Sequence, residues 1–103
     1  MQTINLSGRK ITVQPATYRM AITRGKLLAE LATQDESEEV KLQLETIYTA
    51  LIACSTGDLP TPEQFLDEMT EEDIEKWIRA ARKYNHRWFS WLDEVIPEEK
   101  KMT

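Results

Sequence analysis

His86 is the only histidine and Cys54 the only cysteine, so the two residue types best suited to nucleophilic or metal chemistry each stand alone. A zinc site needs several such ligands at close spacing, and neither residue has one nearby in sequence. As a general base His86 would need a positioned nucleophile, and no serine or cysteine triad pattern accompanies it. Cys54 falls on the apolar side of a helical pattern, which suits a core position better than a reactive thiol. The carboxylates Asp67, Glu68, Glu71, Glu72, Asp73 and Glu75 form an acidic run. They lack the alternating oxygen ligands and central glycine of a calcium loop, and suit helix starts instead. With no glycine-rich phosphate loop and no paired catalytic acids, the residues predict a protein that is not an enzyme and takes no cofactor or metal.

The more serious candidate is an aromatic cluster. Trp88, Trp91, Leu92 and Val95 recur at i, i+3, i+4 and i+7, one face of a helix, with Tyr84, Phe89 and Ile96 beside them. Core packing is one reading of that face. An interface is the other, because Trp, Tyr and Arg are the usual anchors of protein contacts. Lys83, Arg87 and Trp88 also have the chemistry to stack single-stranded nucleic acid. The net charge of −5 argues against it.

That charge is unevenly laid out. Residues 1–33 sum to +4, residues 34–75 to −12 and residues 76–103 to +3. An acidic middle between basic ends either folds back on itself or shows one sign to a partner. A lone cysteine leaves no internal disulfide and fits a reducing compartment. The start MQTINLSGRK has no apolar leader, and no stretch approaches the roughly 20 apolar residues of a membrane span. A cytoplasmic protein with no membrane partner is expected.

These residues must be positioned by a small α+β fold, predominantly helical, with a short N-terminal β-hairpin and about five helices. Residues 1–97 are expected to form one domain, with the hairpin at 3–14, the helical part at 17–96, and a flexible tail at 98–103. In the hairpin, Thr3 to Leu6 and Ile11 to Val13 flank a turn of three to five residues that contains Gly8. Pro15 ends the second strand and Thr17 caps a helix to about Ala32. Met20, Ala21, Ile22, Leu27, Leu28 and Leu31 form its apolar stripe, Arg19, Arg24 and Lys26 lie off it, and Gly25 invites a break. Ser37 caps a second helix whose face is Val40, Leu44, Ile47, Tyr48, Leu51 and Ile52, ending at Ser55, Thr56 and Gly57.

Thr61, Pro62 and Gln64 then combine a cap, a first-position proline and a capping box. Thr70 opens the longest clear pattern, in which Ile74, Trp77, Ile78, Ala81 and Tyr84 face inward. Lys76, Arg79, Arg82 and Lys83 face mostly outward, with acids early and bases late as the helix dipole favours. Asn85 interrupts and is expected to cap a last helix from His86 to about Val95.

The segments Thr61-Pro62-Glu63-Gln64-Phe65-Leu66 and Thr70-Glu71-Glu72-Asp73-Ile74, with Trp77, Ala80, Ala81, Asn85, Trp88 and Phe89, resemble the small tail assembly chaperones of long-tailed bacteriophages and prophages. Similar proteins end a helix in an Asn-Pro-hydrophobic-Phe stretch, and here His86 stands where proline is usual. The resemblance implies a non-enzymatic protein of the bacterial cytoplasm that binds the tape measure protein while the tail is built, with the tail tube protein a further potential partner. Self-association through the hairpin edge is also compatible with it. The contact residues expected on this reading are Trp88, Phe89 and Trp91, with Arg82 and Arg87 at the rim. The alternative is a small adaptor or transcriptional regulator using the basic face Arg79, Arg82, Lys83 and Arg87.

Overall fold

The computed structural model describes residues 1–90. Two strands, β1 (Gln2–Leu6) and β2 (Arg9–Val13), open the chain as an antiparallel hairpin with Ile4 opposite Ile11. The turn is tighter than expected: only Ser7 and Gly8 lie between Leu6 and its partner Arg9. Both have positive φ, 51° and 88°, the backbone that a two-residue type I′ hairpin turn requires. The polar pair Arg9 and Lys10 looks like turn sequence, yet both residues are strand. Lys10 points to solvent, and Arg9 bridges Asp58 at 3.1 Å and Glu68 at 3.5 Å.

Helix α1 (Tyr18–Ala32) is continuous through Gly25. Thr17 caps it by accepting from the Met20 N–H, while the Met20 sulfur accepts from the Thr17 N–H. Its inward line differs from the apolar stripe expected. Met20, Arg24, Leu27, Leu28 and Leu31 turn toward the protein, and Ala21 and Ile22 are exposed. Arg24 therefore lies on the inner face, where its long aliphatic stem can replace an apolar side chain.

The second predicted helix divides into α2 (Glu38–Leu42) and α3 (Thr49–Ala53), joined by a π-helical stretch, Gln43–Tyr48. The Thr46 hydroxyl donates to the Leu42 carbonyl and the Thr49 hydroxyl to the Glu45 carbonyl, so the wider turn carries extra internal bonds. Past the π stretch nearly every residue is buried, from Tyr48 to Cys54 with Ile52 alone half-exposed.

Where the sequence reads as a helix stop, Ser55–Gly57 forms a third strand, β3, antiparallel to β2. The sheet order is β1-β2-β3, so β2 is central. Gly57 has φ 110°, and a Cβ there would meet the Lys10 carbonyl oxygen at 2.5 Å. Only glycine lets the two strands approach so closely.

Helix α4 (Pro62–Asp67) starts at the Thr61–Gln64 capping box, with reciprocal bonds of 3.2 and 3.0 Å. Helix α5 (Glu71–Tyr84) starts at the equivalent box of Thr70 and Asp73. The core lies between one sheet face (Ile4, Leu6, Ile11, Val13) and the helices, closed by Leu31, Leu44, Leu51, Phe65, Trp77 and Phe89. Tyr48, Phe65 and Trp77 form an edge-to-face column, with ring centroids 5.1 and 6.3 Å apart. Trp77 is fully buried, and its indole N–H donates to the Ser55 hydroxyl at 3.0 Å. No described helix is long and apolar enough to cross a membrane.

Candidate functional site at the α5–α6 junction

Helix α5 ends at Asn85, which has φ −134° and ψ 56°, and α6 (His86–Phe89) begins at the next residue. The expected role of Asn85 as a cap is not what the structure contains. Its side chain makes no cap bond to α6. Instead the amide oxygen accepts from the Ala16 N–H at 2.6 Å and the amide nitrogen donates to the Gln14 carbonyl at 2.9 Å. Donor and acceptor on one planar amide match the backbone on either side of Pro15, whose own nitrogen has no hydrogen to give. The break thus ties the exit of β2 to the end of α5.

That tie brings the start of α1 against α5 and α6 and leaves an open cleft of about 340 Å³ between them. Tyr18, Tyr84 and Trp88 supply its aromatic walls, and Arg87 and His86 its polar edge. Tyr18 is 83% exposed, the most open aromatic described. The Arg24 guanidinium lies 5.0 Å from the Trp88 ring centroid, a cation–π arrangement. Burial holds that guanidinium below its ordinary pKa, and the Arg24 Nε is buried without a hydrogen-bond partner. The Lys83 ammonium lies 6.0 Å from the Tyr84 ring.

The five residues expected at the interface are distributed as follows. Trp88 is half-buried and lines the cleft, and Arg87 is exposed at its edge. Arg82 is half-buried on α5. Phe89 is fully buried in the core, so it anchors α6 rather than facing a partner. Trp91 lies outside the described residues, as do the expected continuation of the last helix to Val95 and the tail. Tyr18 and Arg24 enter from α1, which sequence reasoning did not connect to this junction. Tyr84, expected both on the inward stripe of α5 and beside the aromatic cluster, lines the cleft too. The available signal was the unexplained break at Asn85, since a chain interruption implies a contact that holds it.

Cys54 is buried next to this region. Burial pushes its thiol up to about 11, and the sulfhydryl donates weakly to the Leu51 carbonyl at 3.6 Å. Among the described residues no group of three or more His, Cys, Asp or Glu is placed to hold a metal ion. Comparison with family models, curated proteins and solved structures finds no match for the chain.

Proposed function

We propose that the protein works without catalysis as a tail assembly chaperone of a phage or prophage, holding the tape measure protein in soluble form during assembly. The observation that carries this reading is the aromatic cleft where Tyr18, Tyr84 and Trp88 meet beside Arg87. One exposed and two half-buried aromatics with an adjacent Arg are the composition of protein-contact anchors. The resemblance from Thr61 to Phe89 adds support. His86 occupies the first helical position of α6, where proline, usual in similar proteins, is well accommodated. An amphipathic client helix laid across α1 would place one side chain in the cleft and keep its own polar face in water.

Co-expression with the longest coil-rich protein encoded nearby tests this. A soluble complex that survives gel filtration is expected, reduced by Tyr18→Ala. A client that stays insoluble, with no complex eluting, refutes the reading. The adaptor or regulator alternative draws on Arg79, Lys83 and Arg87, all exposed. It predicts salt-sensitive binding to DNA or RNA, and the absence of a low-salt gel shift removes it.

A further inference from the structure

We infer that the cleft receives an acidic segment bearing one bulky apolar side chain. This rests on the client-binding reading and specifies the chemistry of the client. The cleft lies at the small end of ligand-sized cavities and its mouth is open, which suits an anchoring side chain of a larger partner. Ile22 follows Tyr18 by one helical turn and is also exposed, so an apolar strip leads along α1 away from Tyr18.

Cations outnumber acids on the segments that meet at the cleft. Helix α1 carries Arg19, Arg24 and Lys26 against Glu30 alone, and residues 76–90 carry five cations and no acid. Among the described residues, no carboxylate pairs with Arg87. A carboxylate on the incoming segment would supply what the Arg87 guanidinium at the cleft edge lacks, in the fork geometry that arginine offers. The choice of a peptide over a nucleic acid follows from the rest of the chain. Residues 34–75 sum to −12, so a long polyanion crossing the cleft would run into repulsion that a short acidic segment avoids.

Fluorescence anisotropy with labelled synthetic helices tests the inference on the whole protein. One helix carries leucine anchors on one face and glutamates on the other; a second has every glutamate replaced by lysine. The acidic helix is expected to bind about tenfold more tightly than its lysine counterpart and to weaken as salt rises. Arg87→Glu and Tyr18→Ala, both at exposed positions, should each weaken it by a similar factor while circular dichroism stays unchanged. Equal affinity for the two helices overturns the inference, as does an unchanged affinity in both variants. Tighter binding of a single-stranded oligonucleotide that displaces the acidic helix also overturns it, because the surface would then serve nucleic acid. The two readings fail separately. A client complex indifferent to Arg87→Glu counts against the acidic segment alone, and tight acidic-helix binding without any client complex counts against the chaperone reading alone.

Discussion

The Asn85 side chain accepts a 2.6 Å hydrogen bond from the backbone N–H of Ala16, although 69 positions separate them in the chain. With its second bond to the Gln14 carbonyl, it replaces the β-partner that the strand exit lacks. Asn85→Ala removes both partners from half-buried backbone groups and is expected to cost about 1–3 kcal/mol, at the level of a lost buried hydrogen bond. Asn85→Asp should do no better, because a carboxylate oxygen would face the Gln14 carbonyl. Urea unfolding checks this: the midpoint should fall for both variants with little change in slope. A midpoint equal to wild type would mean the tie contributes nothing.

The indole N–H of Trp77 has one polar partner, the Ser55 hydroxyl, in a place sealed from water. Ser55→Ala keeps the strand but leaves that donor without an acceptor, at an expected cost of about 1–3 kcal/mol. Trp77→Phe leaves a cavity in either background, but should cost less in the Ser55→Ala protein than in wild type, because it then removes an orphaned donor rather than a made bond. A thermodynamic cycle over the four proteins measures the coupling directly, and zero coupling would contradict the bond.

Two buried groups predict weakening in alkali. Burial pushes the Cys54 thiol from 9.0 to about 11 and the Tyr48 hydroxyl from 10.0 to about 12. Each folded-state value lies above the unfolded one, so the unfolded chain loses its proton first. The stability these groups lend is complete below pH 9.0 and declines as pH rises through about 12. Tyr48→Phe should flatten the upper part of that decline, at the expense of the 2.8 Å bond to the Pro60 carbonyl. The same burial makes Cys54 slow to react with a thiol reagent in the native protein and fast in urea. Rapid native labelling would be the contrary result.

At the acid end the sensitive group is Asp73. It accepts from the Ser7 hydroxyl in the hairpin turn and from the Thr70 N–H at the start of α5. The Ser7 hydrogen bond leads the causes that hold its carboxyl below the ordinary 3.8. The folded value is depressed, so its contribution is present above that ordinary value and is lost as pH falls beneath it. Ser7→Ala should shrink the acid-induced loss, since the carboxylate then has less to lose on protonation. Stability measured across the acid range, for wild type and Ser7→Ala together, shows whether the two curves converge at low pH as expected.

The parts of the fold that are legible in the sequence are those encoded by local chemistry. Thr17, Ser37, Thr61 and Thr70 all cap helices, because a hydroxyl one residue ahead of an apolar pattern has few better uses. The elements that escape sequence reasoning are set by distant partners. Ser55–Gly57 is three residues long and becomes a strand only because β2 is there to receive it. Arg24 faces inward because the Trp88 ring covers its guanidinium, a relationship between two helices that periodicity in one cannot reveal. The candidate site was half legible. Its residues from α6 and the end of α5 carry visible aromatic and basic character, whereas Tyr18 joins them only once Asn85 has brought the two ends together.

The central position of β2 has a consequence for how the chain is made. Residues 14–54 separate it from β3, so the hairpin can close early but the sheet cannot be completed until residue 57 has left the ribosome. A two-stranded hairpin alone is marginal in water. During synthesis the intervening helices must therefore arrive before the sheet gains its third strand, so completing the sheet takes a long-range closure around Gly57, whereas each helix forms from neighbours in sequence.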